Sequence, residues 1–133
     1  YALDIEEEML ADIRRKIGEN NTKNVFPMIS QEYDLTLSDG SVNTAFLCAV
    51  THEIEKREKF LKEVNRILLP GGKVVIVEWR KEETDYGPPA DHRLDKQVLK
   101  RNLLRTGFTD IRIMDFNDYF YIATAVSKTD TKR

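Results

Sequence analysis

Three places in this 133-residue sequence carry side chains suited to binding or catalysis. The first is Asp4, at the end of the apolar run Tyr1-Ala2-Leu3-Asp4-Ile5. A carboxylate at the C-terminal end of a strand can accept two hydrogen bonds from a ribose diol; the same side chain can cap the helix that follows. The second is Ser30-Gln31-Glu32, which follows a short apolar run. The Gln31 amide oxygen and the Glu32 carboxylate are hydrogen-bond acceptors, although such a triplet also suits a surface turn. The third is His52, directly after Cys48-Ala49-Val50-Thr51. An imidazole there can move a proton or simply cap the next helix. His52-Glu53 and Asp91-His92 do not form a metal-ligand pattern.

These residues need elements to position them. Tyr1 to Ile5 reads as the end of a strand, and Glu6 to Ile17 as a helix with Ile5, Met9, Leu10, Ile13 and Ile17 on one stripe. Its acids Glu6, Glu7 and Glu8 come first and its bases Arg14, Arg15 and Lys16 last, which suits the helix dipole. Gly18 is the expected stop. Val25 to Ile29 is a short strand that Pro27 would place at a sheet edge. After the turn Ser38-Asp39-Gly40-Ser41, Val42 to Val50 reads as a strand buried on both faces. Glu55 to Leu69 is a helix stopped by Pro70-Gly71-Gly72, and the β-branched Val74-Val75-Ile76-Val77 centres a strand from Lys73 to Trp79. A polar loop runs from Arg80 to Arg93; ordered loops of this length are commonly functional. Asp95 is the expected N-cap of a helix from Lys96 to Thr106 closed by Gly107. Strands Asp110 to Phe116 and Tyr119 to Ser127 form a closing hairpin. Alternating strands and helices imply an α/β sandwich with a mainly parallel sheet covered on both faces. The expected domain is 1–127, with a polar tail at 128–133.

This order and its punctuation resemble the class I S-adenosylmethionine-dependent methyltransferases, in the branch that includes the ubiquinone/menaquinone-biosynthesis enzymes. Four stretches carry the resemblance: Tyr1 to Ile5 with Met9-Leu10; Leu35 to Val42 with Asp39-Gly40-Ser41; Leu68-Leu69-Pro70-Gly71-Gly72 before the β-branched strand; and Arg105-Thr106-Gly107-Phe108 before the hairpin. The resemblance implies a Rossmann-like fold and S-adenosylmethionine as cofactor. It implies that Asp4 binds the ribose, that Ile5 lies against the adenine, and that Ser30, Gln31 and Glu32 surround the adenine amino group. There Gln31 replaces the family's usual Asp, and Asn43 also departs from a common Asp. Cys48 and Ala49 would line the cofactor at a strand end, where the family places cofactor and acceptor, and His52 would look into that site as the candidate catalytic residue. The family's glycine-rich loop is absent: no Gly-x-Gly occurs in this sequence. A strand–helix unit of roughly 30 residues is therefore expected to be missing ahead of Tyr1. Its loss should leave two unpaired sheet edges, open to a homo-oligomer, and leave the chain inactive by itself.

Composition narrows the classes. The net charge of −2 gives no footprint for nucleic acid or an anionic membrane. The longest apolar run, Ala45 to Val50, is too short to span a bilayer. One cysteine excludes an internal disulfide and favours a cytoplasmic setting. The expected activity is methyl transfer to a small-molecule acceptor. The alternatives are a non-catalytic methyltransferase-like remnant that binds or oligomerises, and an NAD-binding dehydrogenase-like domain. No Tyr is followed four residues later by Lys, which counts against the dehydrogenase.

Overall fold

The computed structural model describes residues 1–128; of the expected polar tail, residues 129–133 lie outside the described residues. The chain divides into two compact units, Tyr1–Leu37 and the remainder from Ser38.

The first unit holds β1 (Ala2–Asp4), α1 (Glu7–Asn20) and β2 (Pro27–Ile29). β1 and β2 are parallel, with Ala2 opposite Pro27 and Asp4 opposite Ile29. Pro27 thus opens the strand, where its missing N–H costs nothing. α1 buries Leu10 completely, while Ile5 and Met9, the first residues of its apolar stripe, stay exposed. The helix does not stop at Gly18. It continues to Asn20 and ends at Asn21, in the left-handed conformation at φ 51°. Asn tolerates that region, and the Asn21 and Thr22 N–H groups bond back to Gly18 and Ile17 carbonyls, as in a Schellman-type end.

The second unit contains β3 (Val42–Cys48), α2 (Arg57–Ile67), β4 (Leu68–Trp79), α3 (Lys96–Arg105), β5 (Phe108–Asp115) and β6 (Phe120–Ser127). Its sheet runs β3-β4-β6-β5. β3 and β4 are parallel; β6 is antiparallel to both β4 and β5. One face of the sheet is sealed. Val74, Ile76 and Glu78 are buried opposite Ala125, Ala123 and Tyr121, under Phe60, Leu61 and Val64 of α2 and Leu99 and Leu103 of α3. The other face, with Val75, Val77, Ile122 and Thr124, is only half-buried. Within this unit both helices lie on the sealed side. The exposures correct β3: Ala45 and Leu47 are half-buried, but Phe46 is 64% exposed and Cys48 is exposed too.

Pro70-Gly71-Gly72 does not separate helix from strand but forms an irregular start of β4. The pairing jumps from Val42–Leu68 to Thr44–Lys73. Gly72 is needed there, because a Cβ would stand 2.8 Å from the Leu69 carbonyl oxygen and 3.0 Å from that of Asn43. Asn65 ties the helices to the sheet. Its amide donates to the Thr106 carbonyl (2.8 Å) and accepts from the Ser127 hydroxyl (2.6 Å). Among the described residues no helix is long and apolar enough to cross a membrane.

Candidate active site

In the first unit, Asp4 ends β1 and its Oδ1 accepts the Glu6 N–H at 2.9 Å. Glu6 is itself the N-cap of α1, which has no side-chain cap, so Asp4 closes a turn ahead of the helix rather than capping it. Among the described residues its second carboxylate oxygen makes no hydrogen bond. Parallel pairing brings the following turn beside it, since the Ser30 N–H donates to the Asp4 carbonyl at 2.9 Å. Ser30 is buried and turns inward, its hydroxyl donating to the Gln31 carbonyl. Gln31 and Asp34 exchange main-chain hydrogen bonds across a tight turn. That turn leaves the Gln31 side chain exposed and Glu32 half-buried. Ile5 is exposed next to Asp4.

In the second unit, the parallel strands β3 and β4 end together. Cys48 pairs with Val77, and the Ala49 N–H donates to the Val77 carbonyl at 2.8 Å. Ala49 then takes φ 54°, turning the chain into a single 3-10 turn, Thr51–Glu53. That turn carries His52 over the end of β4. Its main-chain N–H donates to Glu78 Oε1 at 3.0 Å, and its Nδ1 lies 2.9 Å from Glu78 Oε2. The Trp79 N–H reaches the same Oε2 at 3.3 Å. Glu78 is completely buried. Both of its oxygens already accept main-chain N–H groups, so the carboxylate is the acceptor and Nδ1 the donor. The lone pair of His52 then sits on Nε2, which lies 3.9 Å from the exposed Glu53 carboxylate.

His52 lines a cavity of about 520 Å³ with Arg57, Lys81, Asp91, Leu94 and Asp95 among the other walls. Asp95 is committed to α3, accepting from Gln97 and Val98 N–H groups. The buried Tyr121 hydroxyl donates to the Leu94 carbonyl at 2.7 Å. Burial pushes this phenol well above its ordinary range, the charges of Glu78 and Asp95 push further, and Arg57 opposes them.

The loop from Arg80 to Arg93 forms one wall and is knotted by Arg93. The residue is 3% exposed and, among the described residues, its guanidinium meets no carboxylate. It donates to the carbonyls of Pro88, Arg80, Glu82 and Tyr86 and to the Thr84 hydroxyl. It also lies over the Trp79 ring, 5.3 Å from its centroid, a cation–π contact. Gly87 packs on the same ring at φ +89°, where a Cβ would come within 2.7 Å. The sequence singles out this loop and His52 as a candidate catalytic residue, but not Glu78, Arg57 or Arg93, which the structure brings beside them. Glu78 had one signal: an acid at an inward position, two residues beyond Ile76. Among the described residues no cluster of His, Cys, Asp and Glu could hold a metal ion.

The model of a methyltransferase domain matches residues 1–76. A SAM-dependent methyltransferase from Aquifex aeolicus is 30% identical and superposes with a TM-score of 0.90, over 95% of this chain and 67% of that one. A candidate type 11 methyltransferase from Sulfolobus solfataricus is 24% identical, with a TM-score of 0.77 over 98% of this chain and 72% of its own. The phosphoethanolamine N-methyltransferase 2 of Haemonchus contortus, in complex with S-adenosyl-L-methionine, shares the fold at 14% identity, with a TM-score of 0.78 over 96% and 43%. No curated protein sequence matches. The Rossmann-like fold expected from the sequence is the one these structures share, and the chain belongs to the methyltransferase-domain family.

Proposed function

We propose that the protein transfers a methyl group from S-adenosylmethionine to a small-molecule acceptor, with His52 as the base. The observation that carries this reading is the His52–Glu78 pair at the carboxyl ends of β3 and β4, where open α/β sheets bind their ligands. The residues present fit the cofactor. Among the described residues Asp4 keeps one carboxylate oxygen without a hydrogen bond, and the Gln31 amide is exposed, so Asp4 would hold the ribose and Gln31 the adenine amino group beside Ile5. Ser30 shapes that turn from within, and Glu32 is the second acceptor available there. The cofactor supplies an activated methyl on a sulfonium.

The protein aligns the acceptor, which is a large part of catalysis in such displacements. His52 takes the acceptor's proton at Nε2, and Glu78 stabilises the imidazolium that results. Water is limited around the pair, for the His52 side chain is 8% exposed and that of Glu78 0%. The test separates the two roles in the protein at its natural length. Asp4→Ala should weaken S-adenosylmethionine binding by roughly 1–3 kcal/mol, measured by calorimetry. His52→Gln should leave that affinity intact and lower turnover by about 10²-fold or more. Unchanged affinity in the first variant, or unchanged turnover in the second, refutes the corresponding assignment.

A further inference from the structure

We propose that the methyl acceptor carries an anionic group, carboxylate or phosphate, and that Arg57 anchors it. This inference rests on the reading of His52 as the base and names the class of molecule that base acts on. Six other arginines, Arg14, Arg15, Arg66, Arg80, Arg105 and Arg112, each meet a carboxylate within ion-pairing distance. Arg57 meets none among the described residues. Its one side-chain hydrogen bond among them is a long one, 3.3 Å from Nε to the Thr51 carbonyl, so its two terminal nitrogens are left for a ligand. It opens α2 on the wall of the His52 cavity. A planar guanidinium with free terminal nitrogens matches a carboxylate or phosphate in a two-pronged way.

The surroundings agree. Arg57 is the first residue of α2, at the end of the helix whose dipole attracts anions. Lys81 lines the same cavity and spends one of its protons on the Arg93 carbonyl. The acids of the cavity are either committed or peripheral. Asp95 caps α3, the Glu53 side chain is 74% exposed, and Asp91 is exposed. The acceptor therefore sits with its anionic end on Arg57 and its nucleophile toward His52, both lining the cavity, His52 from the 3-10 turn and Arg57 from the start of α2.

The experiment titrates inorganic phosphate, and in a second arm acetate, into the natural-length protein at fixed ionic strength. The side-chain ¹⁵N resonances of Arg57 and His52 are followed. A saturable shift at both is expected. Arg57→Ala should weaken the response read at His52 by about tenfold or more, and Arg57→Lys by less, because one point charge replaces the fork. Arg101→Ala, on the exposed face of α3, should leave it unchanged. Unaltered Trp79 emission shows that each variant keeps its fold. Saturation by phosphate alone assigns phosphate esters, and by acetate alone carboxylates. Shifts that never saturate, or an Arg57→Ala midpoint equal to wild type, overturn the proposal. His52→Gln should keep the midpoint read at Arg57. If methyl transfer also survives in that variant, the base assignment fails while the anion site stands.

Discussion

Replacing Glu78 by Gln should reverse the tautomer of His52. The carboxylate serves three donors: the His52 N–H on Oε1, and the His52 Nδ1–H and Trp79 N–H on Oε2. An amide has one acceptor oxygen and one NH₂, so it must be placed in one of two ways. With its oxygen at the Oε2 position, the NH₂ confronts the His52 main-chain N–H across 3.0 Å. That leaves a buried donor without an acceptor, at a cost of about 1–3 kcal/mol. With its oxygen at the Oε1 position, only the Trp79 bond is lost, and at 3.3 Å it is the longest of the three. The NH₂ then donates to Nδ1, and the ring proton moves to Nε2. The second placement also leaves a donor without its acceptor, the Trp79 N–H. It gives up the longest bond and keeps the two shorter ones, so it is the cheaper, at the low end of that range, about 1 kcal/mol, or about 4 °C in melting temperature for a domain of this size. The variant should therefore stay folded while its Nε2 can no longer accept a proton. Long-range ¹H–¹⁵N correlation of the imidazole reads the tautomer directly. A wild-type ring protonated at Nε2, or a variant ring still protonated at Nδ1, would falsify this account of the pair.

Gly87→Ala should push a methyl into the Trp79 ring at a backbone angle that suits glycine. The loop should lift away, with Trp79 emission moving to the red and the melting temperature changing by no more than a few degrees; an unchanged emission maximum would argue against the packing described. Asp95→Ala removes the acceptor for two main-chain N–H groups of α3 and should cost about 1 kcal/mol in urea unfolding. Asp115 is held below the usual carboxylate range by its hydrogen bond from Lys96 and by the charge of Arg80. A depressed carboxyl stabilises the fold above its unfolded pKa and loses that contribution as pH falls through the folded value. Asp115→Asn should accordingly flatten the acid limb of the stability–pH curve below about pH 4, with little change in shape at neutral pH.

What the sequence disclosed depended on how local its cause was. The β4 strand was legible because Val74-Val75-Ile76-Val77 is β-branched throughout, and Asp95 because an N-cap acts on residues two and three positions away. The C-terminus of α1 was misplaced because a glycine can sit inside a helix. Nothing lies within 4 Å of where a Gly18 side chain would be, so neither packing nor backbone forced a stop there. β3 was misread because an uncharged run fits a doubly buried strand, whereas its true exposure is set by its place at the end of the sheet order and by helices on a single face. Asp4 and His52 could be singled out by their positions after apolar runs. The Glu78 partnership spans 26 residues and arises only when β3 and β4 end side by side. Arg57 was invisible for a related reason: what distinguishes it is its place on the His52 cavity with neither the carboxylate that most arginines meet nor the carbonyls that fill Arg93, which is a property of the folded surface.

The position of β3 also bears on how the polypeptide behaves in concentrated solution. Among the described residues this strand pairs only with β4, so one row of its main-chain donors and acceptors has no strand partner there. The strand, Val42-Asn43-Thr44-Ala45-Phe46-Leu47-Cys48, has no charge and no proline, the two devices that usually discourage strands from joining other chains. Its length and composition match those of segments that stack into cross-β fibrils, and Phe46 presents a bare aromatic ring beside the open row. A charge placed at Phe46 or Thr44 should therefore raise the concentration at which the protein precipitates, without touching the sealed face of the sheet that holds the unit together.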